Sequence, residues 1–257
     1  MPVPTETANC VSAKMTSTTE SILPAQSTPG DRQKEERQSI LEGFQEIFAL
    51  KERPPLTLTN VYKELPISNP GHICDIRGPF LEVSTSELQL AAISQCNEAY
   101  IRSPRFAAPV LGRLGSMDVR RGLVQLCDFS FAELHAESRS TIRVRLRKPT
   151  NIIIHAGATR ISGVIHDISL GGCCVHTLIY KGLKEAPRIE VELKVIDQST
   201  GLPNCTRIPC TLLQVSGDGS PFKCVLSFCH NQQSEQFLSL LINQRQLEIL
   251  KELREAL

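Results

Sequence analysis

The sequence predicts a mainly β protein, with two small antiparallel β-barrel or split-barrel domains and helices at its N-terminal and C-terminal sides. Short apolar or alternating segments recur between residues 56 and 228, and glycine or proline residues separate them. Many short strands joined by such turns are typical of small barrels and sandwiches. Barrels are favoured because closing an antiparallel sheet removes its exposed edges. Amphipathic segments of helical period flank the strand-rich region on both sides.

The bulk composition indicates a soluble cytoplasmic protein of one or two domains. A chain of 257 residues can form one large domain or two modest ones. The formal net charge of +1 gives no overall field that would attract a nucleic acid polymer or an anionic membrane. The longest apolar runs, such as residues 152–154, are too short to insert into a membrane. Ten scattered cysteines without a secretory signal indicate free thiols in a reducing compartment.

The N-terminal part is expected to be a disordered tail followed by a helix. Residues 1–30 are rich in Ser, Thr and Pro and carry too few large apolar residues to offset the entropy of ordering. Residues 31–54 are expected to form an amphipathic helix that Pro54 and Pro55 stop. Its apolar residues at helical spacing are Ile40, Leu41, Phe44, Ile47 and Phe48. This helix either docks on a barrel or pairs with another chain.

Residues 55–137 are expected to form the first barrel-like domain. The predicted strands are His72–Ile76, Phe80–Val83, Leu88–Leu90, Ala99–Arg102 and Leu123–Cys127. Turns are predicted at Gly71, Gly78-Pro79, Ser103-Pro104 and residues 112–115, where glycine and proline cluster. No acid–base pair or nucleophile constellation occurs in this region, and His72 is interpreted as a strand residue.

Residues 138–232 are expected to form a second, six-stranded antiparallel barrel. The predicted strands are Thr150–Ala156, Ala158–Asp167, Cys173–His176, Ile189–Ile196, Ile208–Leu213 and Lys223–Phe228. Residues 189–195 alternate cleanly with the period of a half-buried strand. Turns are predicted at residues 201–203 and 217–219.

The chain is expected to end in a helix over residues 233–257. Its predicted apolar stripe is Phe237, Leu240, Leu241, Leu247, Leu250, Leu253 and Leu257. The first half is expected to pack on the second barrel. The second half either extends beyond the barrel to pair with a partner helix, which allows a homodimer through the terminal helices, or is solvated.

An arginine cluster precedes the second barrel. Arg139 and Arg143 are four residues apart, a spacing at which two guanidinium groups can converge on one ligand. A guanidinium group is always charged and donates two parallel hydrogen bonds, so it fits phosphate oxygens and the O6 and N7 atoms of guanine. Arg145 and Arg147 alternate with apolar residues and lie on one face of the first strand. Taken alone, such a cluster is usually a solvated basic patch.

A polar turn follows about two dozen residues later. Asp167 can accept hydrogen bonds from guanine N1–H and the N2 amine, and Ser169 adds a small donor and acceptor. Gly171 and Gly172 leave space where the backbone turns or a ligand approaches closely. Taken alone, this pattern is a common strand-to-strand turn.

The two elements together resemble the signature of PilZ domains, bacterial receptors for cyclic di-GMP. The matching residues are Arg139-x-x-x-Arg143 and Asp167-x-Ser169-x-x-Gly172, and the resemblance covers about residues 136–232. It implies a six-stranded barrel with a C-terminal helix. It also implies that Arg139 and Arg143 grip phosphates and guanines, that Asp167 and Ser169 bind a guanine edge, and that Gly172 shapes the turn. Residues 56–136 are similar in layout to the N-terminal barrel of flagellar-brake PilZ proteins.

The sequence departs from the family pattern at one position and leaves its register open at another. Many members carry a further arginine where Ser138 stands, which leaves the number of bound nucleotides undetermined. Arg143-x-x-x-Arg147 fits the same pattern, although Val144 directly after Arg143 favours the first register.

The expected function is that of a cyclic di-GMP receptor that changes its domain arrangement and regulates an unidentified protein partner. A ligand-independent interaction scaffold is the alternative.

A zinc site built from Cys173, Cys174 and His176 with the later cysteines lacks two clean Cys pairs of the usual spacing. An enzyme is not expected, because no phosphate loop, nucleophile elbow or catalytic triad pattern occurs, and no metal or further cofactor is expected.

Overall fold

The computed structural model describes residues 29–136, 138–196 and 203–257. The tail predicted for residues 1–30 lies outside the described residues except for its last two positions. Three helices are described: α1 (Pro29–Ala49), α2 (Glu87–Cys96) and α3 (Gln232–Arg254). None of these described helices is long and apolar enough to cross a membrane.

The first barrel is a closed antiparallel sheet of six strands. The strands are β1 (Leu56–Tyr62), β2 (Leu65–Arg77), β3 (Phe80–Thr85), β4 (Glu98–Arg102), β5 (Val110–Asp118) and β6 (Leu123–Phe131). They follow one another around the barrel in the order β1-β2-β3-β6-β5-β4, and β4 pairs with β1 to close it.

The second barrel also contains six antiparallel strands, with a short seventh strand at its side. The strands are β7 (Arg143–Val144), β8 (Thr150–Ala156), β9 (Thr159–Ser169), β10 (Gly172–Thr177), β11 (Ile189–Ile196), β12 (Pro203–Ser216) and β13 (Phe222–Phe228). Their order is β10-β13-β12-β11-β8-β9-β7, and a further pairing of β9 with β10 closes the barrel. The predicted mainly β fold class with two barrels and terminal helices is therefore confirmed.

Helix α1 docks on the first barrel. Ile40, Phe44 and Ile47 are buried there, as their helical spacing requires. The Phe44 ring meets the rings of Phe106 and Phe129 edge-on, with centroids 5.0 and 5.4 Å away. The helix ends at Ala49, before the two prolines that were predicted to stop it.

The strand predicted at Leu88–Leu90 is wrong, because this segment is the first part of helix α2. The Ser86 hydroxyl accepts a hydrogen bond from the backbone N–H of Gln89 and caps the helix. Asn97 ends it in the left-handed conformation. These local caps outweigh the short apolar alternation that suggested a strand.

Two glycine positions interpreted as turns are instead inside strands. Gly71 lies in β2, and the predicted turn at residues 112–115 lies in β5. A Cβ atom on Gly71 would lie 2.8 Å from Cγ1 of Val83, and one on Gly112 would lie 2.8 Å from Cε1 of Phe129. Glycine is needed at both positions because core side chains pack directly against the strand backbone.

The apolar stripe predicted for α3 is only partly confirmed: Leu253 is buried, and three further members are partly buried against the same core, namely Phe237, Leu241 and Leu250. The helix buries Leu238, Ile242, Arg245, Ile249 and Leu253, whereas Leu240 and Leu247 are 73% and 69% exposed. A charged residue in the buried row hid the true stripe from a hydrophobicity pattern. The second half of α3 is not a solvated end, because Ile249 and Leu253 share a core cluster with Ala91 and Ala92 of α2 in the first barrel. Helix α3 therefore lies between the two barrels.

Candidate functional site

The arginine segment, residues 139–147, is fixed to the second barrel by the two residue pairs that β7 forms with β9. In β7, Val144 pairs with Ile168 of β9, and both side chains are fully buried. Arg143 pairs with Ser169, and because strand side chains alternate, these two residues lie on the outer face. The apolar pair thus positions the guanidinium group beside the polar end of β9.

The hairpin that joins β9 and β10 forms the floor of the site. Ser169 pairs with Gly172, and the Ser169 hydroxyl donates to the Gly172 carbonyl oxygen at 3.2 Å. The Gly171 carbonyl accepts the backbone N–H of Phe228 at 3.1 Å, which ties the turn to β13. A Cβ atom on Gly172 would overlap the carbonyl oxygen of Leu226. This close backbone approach requires glycine at residue 172.

A cavity of about 150 Å³ lies above this hairpin on the outer face of the barrel. Its lining includes Arg143, Asp167, Ser169 and Gly172, which are four of the five predicted site residues. Arg143 Nη1 lies 3.9 Å from Asp167 Oδ1, beyond hydrogen-bond distance. The Asp167 side chain is only 7% exposed, and that of Arg143 is 38% exposed. The two charges therefore attract each other without closing the space between them.

A β-bulge turns Asp167 into the cavity. Asp167 pairs with Cys174 and Ile165 pairs with Val175, so His166 is the extra residue. His166 Nε2 lies 3.3 Å from Nη2 of Arg145, and its Nδ1 lies 2.9 Å from Asp167 Oδ2. Because arginine can only donate, Nε2 accepts and Nδ1–H donates to Asp167. The histidine thus holds one carboxylate oxygen and leaves the other facing Arg143.

Arg139, the fifth predicted residue, lies apart from Asp167. Its Nη1 is paired with Glu64 Oε2 at 3.0 Å, in a neighbouring cavity of about 190 Å³ that Arg143 also lines. Arg143 therefore stands between the two cavities. Arg147, the alternative in the second register, lines a different groove together with Lys148.

Glu64 belongs to a hairpin tip of the first barrel that reaches the arginine segment. Lys63 and Glu64 form the turn between β1 and β2, and both have positive φ values, 51° and 69°. The Lys63 carbonyl accepts the backbone N–H of Arg145 at 2.9 Å, and the Lys63 ammonium group pairs with Glu252 of α3. Oε1 of Glu64 also lies 3.7 Å from Nη2 of Arg145. One turn thus joins the first barrel, the arginine segment and α3.

Arg245 completes this junction from within α3. Its side chain is almost fully buried, its Nε donates to the Arg145 carbonyl at 2.8 Å, and its Nη1 pairs with Glu252 at 2.8 Å. The hydrogen bond from Arg245, followed by that from Lys63, lowers the pKa of Glu252 to about 2. Glu252 is therefore ionised at neutral pH and binds both cations.

Glu64, His166 and Leu213 are candidate functional residues that were not predicted from the sequence. Glu64 comes from the first barrel, so no local motif connects it with the arginines. His166 and Leu213 are the extra residues of two bulges, and a bulge breaks the alternation by which strands are recognised. The only signal for His166 was its position beside Asp167.

The side chains of His166, Asp167 and Cys174 offer ligand atoms that lie within 4.8 Å of one another. This donor set suits a metal ion poorly. Burial, and then the charge of Asp167, raises the pKa of the Cys174 thiol to about 11, so it resists forming the thiolate that binds metals. Two guanidinium groups lie beside the cluster, on Arg143 and Arg145. Three of the other cysteines considered for a zinc site, Cys173, Cys210 and Cys224, are packed in the hydrophobic core.

Comparisons with known proteins place this region in a family. Residues 137–244 match a family model described as the PilZ domain. No curated protein matches the chain in sequence. Solved structures with similar folds include the inhibitor of motility MotI/DgrA of Bacillus subtilis, at 12% identity over 76% of this chain and 96% of that one, with a TM-score of 0.36.

Two further similar structures contain cyclic di-GMP. YcgR from Escherichia coli in complex with c-di-GMP is 15% identical over 86% of this chain and 94% of that one, with a TM-score of 0.37. The MrkH–c-di-GMP complex of K. pneumonia is 15% identical over 84% and 96%, with a TM-score of 0.35. The second barrel and the first half of helix α3 thus match the PilZ domain family.

Proposed function

We propose that this protein is a receptor for cyclic di-GMP. The observation that carries the proposal is the cavity in the PilZ domain, where Arg143, Asp167, Ser169 and Gly172 meet. The Asp167 carboxylate can accept hydrogen bonds from the guanine N1–H and the N2 amine. The Arg143 guanidinium group can donate hydrogen bonds to O6 and N7 of guanine or to a phosphate. The cavity has the size of a single purine, so one base would enter it while the rest of the nucleotide lies across the surface.

Arg139 is assigned to the phosphates. It lines the cavity next to that of Asp167, and Arg143 borders both. A dinucleotide whose base occupies the first cavity would bring a phosphate toward the second. Its negative charge would then compete with the Glu64 carboxylate for Arg139. A charge-assisted bidentate pair with phosphate is strong enough to replace one such ion pair.

This competition connects ligand binding to the arrangement of the two barrels. Glu64 is part of the hairpin tip that holds Arg145 and, through Lys63, helix α3. When Arg139 turns to a phosphate, the first barrel loses one of its ion pairs to the arginine segment. A ligand shifts such an equilibrium only by its different affinity for the two arrangements. We therefore propose that cyclic di-GMP loosens the Glu64 contact and reorients the first barrel.

Calorimetric titration tests the ligand assignment. Cyclic di-GMP should bind with measurable heat, whereas cyclic di-AMP should bind at least about tenfold more weakly, because adenine lacks the N1–H and N2 donors that Asp167 accepts. Equal affinity for both nucleotides would refute the base-edge role of Asp167. The absence of heat with either would support the alternative of a ligand-independent scaffold.

Small-angle scattering tests the rearrangement separately. Profiles with and without saturating cyclic di-GMP should differ if the first barrel moves. Superimposable profiles, measured on protein that binds the nucleotide by calorimetry, would remove the rearrangement and leave the receptor assignment in place.

We propose that the ligand-induced change regulates a protein partner. We also propose that the protein forms a homodimer through helix α3. Helix α1 buries its apolar residues in the first barrel, whereas α3 exposes Leu240 and Leu247 seven residues apart. These two leucines lie on one exposed face of α3 and could cover each other in an antiparallel pair of copies. Sedimentation of the wild type and a Leu247→Glu variant tests this, and a monomeric wild type would refute it.

A further inference from the structure

A second bulge in the second barrel places the apolar side chain of Leu213 at the cavity. In the pairing of β12 with β13, Leu212 faces Leu226 and Gln214 faces Val225, so Leu213 is the extra residue. Its side chain is 67% exposed and lines the same cavity as Arg143 and Asp167. Exposed leucines are ordinary on protein surfaces, but this one is placed at a polar cavity by a local break in the sheet.

The two bulges lie on opposite sides of the same row of the sheet. Asp167 of β9 pairs with Cys174 of β10, Cys174 pairs with Val225 of β13, and Val225 pairs with the residue that follows Leu213. Asp167 and Leu213 therefore stand at the two ends of this row. Gly172 lies two residues from Cys174 on β10 and therefore on the same face of the sheet, where it has no side chain to fill the space beside this row.

We propose that Leu213 is a ligand-contacting residue that forms an apolar wall against one face of the bound purine. This inference rests on the proposed binding of cyclic di-GMP. Asp167 and Arg143 can hydrogen-bond only to atoms in the plane of a base, whereas the faces of the base are apolar and are left in water unless a side chain covers them. Leu213 is the apolar side chain whose exposed position at the cavity rim can provide that cover.

The wall also accounts for the exposure of Leu213. In the free protein this leucine is mostly in water, and a bound purine would remove apolar surface of both partners from water. Leu213 therefore contributes to affinity through the base face, without selecting between guanine and adenine. The edge contacts of Asp167 make that selection.

Calorimetry on alanine variants provides the first test. Leu213→Ala should bind cyclic di-GMP about tenfold more weakly than the wild type, because it loses most of the apolar contact. Leu178→Ala is the matched control, since Leu178 is 72% exposed on the same barrel but lies outside this cavity. It should bind as the wild type does. Equal affinities of the wild type and Leu213→Ala would overturn the inference.

The lack of tryptophan in the chain allows a second test that reports on contact directly. In a Leu213→Trp variant the only indole stands at the cavity, and a purine stacked on it should change its fluorescence, with affinity retained or raised about threefold. In Leu178→Trp the fluorescence should not respond. An unresponsive Trp at residue 213 in a variant that still binds by calorimetry would overturn the role of Leu213.

The same data separate this inference from the function on which it rests. Binding by the wild type with no effect at residue 213 refutes the apolar wall alone. No binding by the wild type refutes the receptor assignment and the wall together. Thermal unfolding of each variant confirms that it is folded, which is expected because the Leu213 side chain is largely exposed.

Discussion

The two barrels share an architecture but use their bulges differently. In each, an aspartate follows the extra residue of a bulge: Asp75 follows Cys74 in the first barrel, and Asp167 follows His166 in the second. Asp75 is 34% exposed and pairs with Arg77 on its own strand. Asp167 is 7% exposed and faces Arg143 from another strand across a cavity. The same local device gives a solvated ion pair in one barrel and a candidate binding group in the other.

The difference shows that the barrel itself does not specify the function. What distinguishes the second barrel is the short strand β7, which adds an arginine beside the bulge and is fixed by the buried pair of Val144 and Ile168. The first barrel contributes at one point, where the Lys63–Glu64 turn reaches the arginine segment. Function thus depends on what is placed at the edges of a common fold.

The largest expected effect comes from the glycines that each barrel requires. Gly172→Ala should destabilise the protein by more than about 3 kcal/mol, because its Cβ would overlap a backbone carbonyl oxygen that cannot move alone. Gly71→Ala in the first barrel should cost less, about 1–2 kcal/mol, because its Cβ meets side chains that can shift.

Urea denaturation measures both changes. Gly219→Ala is the control, since a Cβ at residue 219 would meet no atom within 4 Å, and its stability should stay within about 0.5 kcal/mol of the wild type. Equal losses for Gly172→Ala and Gly71→Ala would show that backbone approach at the hairpin is no more restrictive than side-chain packing.

The next largest effect is expected on the affinity for cyclic di-GMP when the aspartate of each bulge is replaced. Asp167→Ala should weaken cyclic di-GMP binding about 30-fold, the effect of losing a charged acceptor worth about 2 kcal/mol. Asp75→Ala, at the corresponding bulge position of the first barrel, should leave the affinity unchanged. Calorimetry on both variants decides the matter, and a similar loss in the two would mean that the aspartate acts through overall charge.

The contact between the barrels should be sensitive to acid through Glu252. Its pKa is lowered from 4.5 to about 2 by Arg245 and then Lys63, so its ionised form stabilises the folded state. That stabilisation is complete above pH 4.5 and disappears as the pH falls through 2. At pH 7, Glu252→Gln should therefore lower the free energy of unfolding by about 2 kcal/mol.

Denaturation at several pH values checks this expectation. The difference between the wild type and Glu252→Gln should shrink steadily between pH 4.5 and pH 2. Glu255→Gln is the control, because Glu255 is 66% exposed and its pair with Lys251 spans 3.8 Å. Its effect should stay below about 0.5 kcal/mol. A pH-independent difference for Glu252→Gln would argue against the ion pairs.

The smallest effect is expected from the proposed competition between Glu64 and a ligand phosphate for Arg139. Glu64→Gln removes the charge that holds Arg139, so cyclic di-GMP should bind about threefold to fivefold more tightly. Glu133→Gln, which neutralises an 88% exposed residue between the barrels, should change nothing. Calorimetry again gives the answer, and weaker binding by Glu64→Gln would mean that Glu64 positions Arg139 for the ligand.

Much of the fold could be predicted from the sequence, because alternation and turn residues are local signals. All six predicted strands of the second barrel exist, as do both terminal helices. One error comes from a competing local signal, and another comes from a tertiary contact. Leu88–Leu90 is short enough to suggest a strand, yet its caps make it a helix. Arg245 occupies the buried row of α3, and a hydrophobicity pattern does not place a charged residue there.

The site was partly predictable for the same reason. Arg143, Asp167, Ser169 and Gly172 form a sequence pattern, and the structure brings them to one cavity. The contact of Arg139 with Glu64 depends on how the barrels meet, which no local pattern contains. Whether these residues bind the nucleotide stays a prediction.

The most direct test of the central claim is a calorimetric titration of cyclic di-GMP into the wild type, Arg143→Ala and Arg147→Ala. Arg143 borders both cavities, whereas Arg147 lines a separate groove. The wild type and Arg147→Ala should bind with affinities within about threefold of each other, and Arg143→Ala should lose about 100-fold, the effect of removing about 2.7 kcal/mol of charge-assisted contacts. Unchanged binding by Arg143→Ala, or a greater loss in Arg147→Ala, would contradict the claim that Arg143 and Asp167 form the receptor site.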